Sequence, residues 1–333
     1  MWKLLKYEFR RARTSLLTVL GAQADTVQYA RDYYTWIAVG APFIILSFTP
    51  CNQLRTEGFA NASMIGSILG AVVNIVLDPV LIFGCKLGAA GAAIATVIGY
   101  VFTDLYYVWF LLRRSRHLSV DIRLLRVSWQ EVGQVFAIGI PASITNIAQS
   151  FCVLITNRFL VPYGTDKVAA MGIALKVSMI AVLVLIGCAF GVQPLVGYNY
   201  GAQNYRRLRQ VLRFSYQFTI GLGLVLTVIV FAAAPLLIRL FMQVGSLYDL
   251  GVAMLRRLLL GTAFYAFTLV TTCVFQATGK AVGAFVLSIS GQGVIYGLVI
   301  WALSSIWGYD GVIVTQPVAD VLTCLLAVVL YFT

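Results

Sequence analysis

The sequence predicts an all-α polytopic membrane protein, a helical bundle of two homologous lobes, and three observations predict it. Of 333 residues, 60% are hydrophobic and 11% charged, with a mean hydropathy of +0.90. Soluble domains run near one quarter charged. Nine apolar segments are each long enough to cross a bilayer, which takes roughly 20 residues. The chain also repeats itself at a nearly constant offset, the mark of two related halves.

The nine segments lie near 31–57, 61–84, 88–112, 131–160, 168–196, 207–242, 249–278, 281–306 and 309–332. Most connections are short and rich in Gly, Asn and Asp; the long one is RRSRHLSVDIRLLRVSWQE, residues 113–131. The expected division is an atypical basic leader over 1–21 and three helices of a first lobe over 22–112. A cytoplasmic linker over 113–130 and six helices of a second lobe over 131–333 follow.

The net charge of +12 does not make this a nucleic-acid binder, because no stretch is polar for long enough to build a basic soluble domain. The basic residues gather instead in loops such as 113–131 and NYRRLRQVLR, which the positive-inside rule places on the cytoplasmic face. The six cysteines show no CxxC or paired spacing, so neither a disulfide framework nor a metal site is expected. His117 sits in a charged loop, and there is no Walker loop, HExxH or GxSxG. An enzyme, a cofactor and ATP binding are therefore not expected.

The repeat pairs LRTEGFANASMIGSILG (54–70) with FQATGKAVGAFVLSISG (275–291), at an offset of 221. It then pairs GAAGAAIATVIGYVFTDLYYVWF (88–110) with GYDGVIVTQPVADVLTCLLAVVL (308–330), at an offset of 220. Gly58, Ser67, Gly70, Gly88, Gly91 and Thr103 fall on Gly279, Ser288, Gly291, Gly308, Gly311 and Thr323. The second half holds six helices and the first three, so repeat arithmetic expects three more N-terminal helices, about 90 residues. Counting helices back from the basic loops places MWKLLKYEFRRAR outside, against the rule that orients the rest. Three further helices would remove that conflict.

An ionisable side chain mid-helix in lipid is a candidate for function, because it needs a partner or a wet cavity. Asp78 stands within the second segment, one turn after Asn74 and just before Pro79. Pro79 removes a backbone N–H and frees a carbonyl one turn back. A carboxylate, an amide oxygen and a freed carbonyl suit Na⁺ or a protonatable carboxylate; the alternative is an interhelical hydrogen bond that only fixes packing. Thr96 lies on a close-packing face, and Asp104 is expected to be structural or to snorkel. Lys176 either snorkels or faces a cavity, and Arg256, Arg257 and Asp320 are expected to pair across the bundle. Asn146, Gln149, Lys176, Tyr265, Thr272 and Gln276 form a candidate substrate cavity, aromatic and weakly polar, suited to amphipathic cations, with packing as the alternative use.

NQLRTEGFANASMIGSILGAVVNIVLDPVLIFG, GAAGAAIATVIG and GVQPLVGYNYGAQNYRRLRQ (191–210) together resemble the MATE family, the multidrug and toxic compound extrusion transporters, nearest its bacterial DinF- and MepA-like branch. That resemblance implies twelve helices in two six-helix lobes, of which the nine here match the fourth to twelfth. It implies a multi-pass protein of the bacterial plasma membrane that exports drugs or organic cations in exchange for H⁺ or Na⁺. It also implies a first-lobe cation site of an Asn and an Asp one turn apart and a Thr on the next helix, matching Asn74, Asp78 and Thr96. The family's Asp on its first helix has no counterpart here, and neither do the carboxylates some members carry in the second lobe's first and fourth helices. The leader resembles that of an unrelated ABC-type permease subunit. The alternatives are a non-transporting remnant of such a transporter and a lipid-linked sugar flippase.

Overall fold

The computed structural model describes residues 27–114, 128–242 and 245–332. The leader over 1–21 and most of the linker over 113–130 lie outside the described residues. The chain divides into two compact units between Arg126 and Val127.

The first unit comprises α1 (Val27–Thr56), α2 (Ala60–Pro79) and α3 (Gly88–Arg114), with a π-helical turn, Val80–Gly84, extending α2. Sequence dictates how α2 meets α3. The buried residues of α2 are Ala62, Ser63, Gly66 and Gly70. Those of α3 include Gly91, Ala95, Gly99, Thr103, Tyr107 and Leu111, a stripe at every fourth position. Small residues on both faces let the backbones approach, which is how helices associate where lipid removes the hydrophobic drive. Buried polar groups lock the register. Thr103 Oγ1 donates to the Gly66 carbonyl (3.2 Å), and Tyr107 OH donates to that of Ser63 (2.8 Å).

The second unit comprises α4 (Trp129–Leu160), α5 (Thr165–Gly201), α6 (Tyr205–Arg239), α7 (Ser246–Leu259) and α8 (Thr262–Ala277). It continues with α9 (Ala281–Ile289), a π-turn over Ser290–Val294, α10 (Ile295–Trp307) and α11 (Tyr309–Phe332). A capping box starts α4: Ser128 accepts from the Glu131 N–H (3.2 Å) while Glu131 accepts from the Ser128 N–H (2.8 Å). Leu160, Met171, Ile238, Leu255, Ile300 and Ile313, each at most 2% exposed, fill the core. Each of the nine expected segments falls on a helix or helix run. Among the described residues seven are long and apolar enough to span a bilayer, and α7 and α8, which meet at a 45° bend, make eight if the pair is one span.

The repeat is legible in the backbone. Gly58 and Gly279 both take positive φ, +86° and +74°, and both end a helix with an N–H five residues back to a carbonyl, Phe59 to Leu54 and Lys280 to Phe275. Gly70 packs beneath Thr103 as Gly291 packs beneath Thr323. Both threonines are buried and bond their own helix, to Gly99 and Ala319. Large apolar side chains such as Phe83, Ile75, Leu112, Val282 and Trp301 face outward. On helices of this length, that outer surface is a lipid-facing one.

Candidate functional site

In the first unit the structure brings Asn74, Asp78 and Thr96 together. Asn74 and Asp78 lie one turn apart on α2, and the amide Nδ2 of Asn74 donates to Asp78 Oδ1 at a long 3.5 Å. The same Nδ2 donates across to Thr96 Oγ1 on α3 (3.3 Å), while the Thr96 hydroxyl donates to the Ala92 carbonyl (2.9 Å). Thr96 thus bonds its own backbone and also meets the neighbouring helix, as a close-packing position should. All three side chains are half-buried. A carboxylate, an amide and a hydroxyl thus meet within the membrane-spanning helices, groups whose oxygens are the hard donors a monovalent cation or a proton needs.

Local sequence sets this geometry. Gly70 and Gly99 touch, so α2 and α3 run close where the Asn74 amide must span to Thr96. Pro79 closes α2 and the chain passes directly into the π-turn over Val80–Gly84, which re-aims the backbone just past Asp78. A cavity of about 430 Å³ opens beside the cluster, lined by Asn74, Thr96, Arg55, Ser67 and Tyr100 among others. Asp78 lies one turn beyond Asn74 and is not part of that lining. Arg55 is held by a bond from its Nε to Ser63 (3.1 Å). The oxygens of Asp104 are buried with no hydrogen-bond partner among the described residues.

In the second unit the candidate cavity residues separate. Gln149 and Tyr265 line a cavity of about 220 Å³, and Tyr265 and Thr272 line an adjoining one of about 80 Å³. Lys176 is exposed and lines neither. Gln276 also lines neither and accepts instead from Gln193 (3.3 Å). The side chain of Asn146 lies outside the described residues.

Of the charges expected to pair across the bundle, Arg257 pairs with Asp310. Arg256 sits over the Phe231 ring, 4.9 Å from its centroid. Asp320 meets an amide: Gln316 Nε2 donates to its Oδ1 over 3.0 Å. Asp320, Gln316, Gln292 and Tyr296 were not among the expected cavity residues, yet all line the larger cavity. The available signals were the i, i+4 spacing of Gln316 and Asp320, and the repeat, which aligns Gln316 with Thr96.

Paired helices long and apolar enough to cross a membrane, with polar clusters between them beside small cavities, define a multi-pass membrane protein of the helical-bundle kind. A model of the MatE family matches residues 12–80 and 141–301, and the chain belongs to that family, the MATE multidrug-efflux transporters. It is similar to the multidrug export protein MepA of Staphylococcus aureus strain MRSA252, 30% identical over 318 residues that span 95% of this chain and 70% of the relative. Among solved structures, it matches a MOP superfamily transporter from Pyrococcus furiosus with a TM-score of 0.88 at 24% identity, over 96% of this chain and 72% of that one. It matches a MATE protein in the straight conformation with a TM-score of 0.87 at 24% identity, over 97% and 75% of the two chains.

Proposed function

We propose that the chain exports amphipathic organic cations in exchange for H⁺ or Na⁺, with Asn74, Asp78 and Thr96 as the cation-coupling site. The observation that carries this reading is the Asn74 amide reaching both Asp78 and Thr96, across two helices. The export half of the reading draws support from the relatives, which are named as multidrug export proteins.

The coupling step follows from the donor set. For Na⁺, the Asn74 amide turns about its last bond so that its oxygen replaces its NH₂ beside Asp78. Carboxylate, amide and hydroxyl oxygens then face one ion, and the Thr96 hydroxyl keeps donating to Ala92. For H⁺, the proton resides on Asp78 and neutralises it. In either case an uncompensated carboxylate in the bilayer is silenced only while the ion is bound, so ion binding and release bias the helix pair between arrangements. The Pro79 joint and the π-turn beyond it are where α2 has slack to respond.

Ethidium efflux from cells expressing the chain tests the reading. Efflux should stop when an ionophore collapses the driving gradient and should persist when ATP is depleted at constant gradient. Efflux that follows ATP and ignores the gradient would refute it.

A further inference from the structure

The second unit holds a carboxylate that the coupling site does not use. Asp320 stands midway along α11 and, with Tyr265 and Gln292, forms the wall shared by the cavities of about 220 and 80 Å³. Among the described residues lining the two cavities, it is the one carboxylic acid, and no basic side chain lines either. The basic residues on α7 are engaged elsewhere, Arg257 with Asp310 and Arg256 with Phe231.

Few of the surrounding hydrogen-bond donors reach the Asp320 carboxyl. Gln316 supplies one, to Oδ1. Thr156 donates to the Cys152 carbonyl and also bonds the Tyr296 hydroxyl (2.5 Å), so these hydroxyls satisfy each other. Gln292 keeps its Oε1 buried with no partner. A buried acceptor left open beside an uncompensated carboxylate is a place built for positive charge.

The backbone makes room for it. Gly261 lies at the 45° break between α7 and α8, directly against Asp320 Oδ2 and the Pro317 backbone, where a Cβ would collide with both. Broken membrane helices recur at transported-ligand sites, because freed backbone is tolerated only where it lines protein or a cavity.

The repeat shows that packing alone does not demand this aspartate. Ser47, Cys51, Ser67, Gly70 and Thr103 line the first unit's cavity, and their repeat partners Thr268, Thr272, Ser288, Gly291 and Thr323 line the smaller cavity here. At the position of Asp320 the first half carries Tyr100, which also lines its cavity. The fold builds the cavity twice and gives it a carboxylic acid at this position once.

We propose that Asp320, with Tyr265, Gln292 and Gln149, binds the ammonium or iminium head of an amphipathic organic cation. The carboxylate supplies the charge, and the aromatic rings of Tyr265 and Tyr296, which line the larger cavity, suit a weakly hydrated cation. Val153, Met179 and Leu258 line the rest of the larger cavity and take its apolar body. A small metal ion would need five or six oxygens, and this site offers few.

This assignment deepens the export reading by placing the cargo's charge, and its test is binding, which does not depend on coupling. Purified full-length protein in detergent is titrated with ethidium, and in parallel with the neutral probe N-phenyl-1-naphthylamine. Asp320→Asn should weaken ethidium by about tenfold or more and leave the neutral probe within about twofold. Asp320→Glu should retain most of the ethidium affinity, and Gly261→Ala, which crowds the carboxylate without removing it, should weaken ethidium severalfold.

The assignment is overturned if Asp320→Asn binds ethidium like the parent, or if it loses both probes equally, as a packing residue would. It is also overturned if the parent binds neither probe. Normal cation binding without gradient-driven export would leave this site standing and refute the coupling reading instead.

Discussion

Asn74 on α2 donates to Thr96 on α3 over 3.3 Å, where Gly70 and Gly99 bring the two helices into contact. The proposed coupling site thus depends on a packing stripe as much as on its own polar groups. A change in either helix's approach would move the amide away from the hydroxyl.

Thr96 is expected to act through its hydroxyl oxygen. Thr96→Ala removes a net interaction worth about 1 kcal/mol, so the coupling ion's apparent affinity should fall roughly fivefold. Thr96→Ser keeps the oxygen and should stay close to the parent. The measurement is the ion-concentration dependence of ethidium efflux for the three proteins, with expression matched.

The glycine–threonine contacts should respond differently in the two halves. Gly70→Ala and Gly291→Ala each force a Cβ into a threonine, and overpacking of this kind costs roughly 1–3 kcal/mol. Truncating Thr323 to Ala should relieve Gly291→Ala, because the atoms nearest to that position all belong to the Thr323 side chain. Truncating Thr103 should relieve Gly70→Ala only in part, because the Gly99 backbone carbonyl also stands in the way. Melting temperatures of the single and double variants form two cycles that read this directly.

The Arg257–Asp310 ion pair should contribute little. Its partners are 40% and 61% exposed, and exposed pairs are typically worth less than about 1 kcal/mol. Asp310→Asn should shift the melting temperature by no more than about 2 °C and leave efflux intact. A larger loss would show that the pair holds α7 against α11 more firmly than its exposure indicates.

The fold was legible because lipid imposes strict demands. Apolar length marks helices, and Gly58, Gly70 and Thr103 at a fixed offset from Gly279, Gly291 and Thr323 mark the repeat, each pair now seen in matching roles. Asn74 and Asp78 were legible because they share a helix turn, whereas Thr96 joined them only through the family resemblance. The second unit was harder to read. Gln276 and Thr272 lie one turn apart on α8, yet Gln276 bonds Gln193 while Thr272 meets a cavity. The choice depends on which neighbour each face meets, and local spacing carries no record of that. Asp320 was visible as a charge in lipid, but its surroundings come from Gln292 on a π-turn and Gly261 at a helix break. Neither irregularity has a periodic signature.

The central claim is that Asp78 carries the coupling ion, and reconstituted transport tests it most directly. Proteoliposomes holding the parent or Asp78→Asn are loaded with ethidium at equal concentrations inside and out, and an inward Na⁺ or H⁺ gradient is imposed. The parent should move ethidium uphill under one of the two gradients. Asp78→Asn should lose that uphill movement by about tenfold or more, because no charge remains for the ion to neutralise. Uphill transport by Asp78→Asn at the parent's rate would contradict the account.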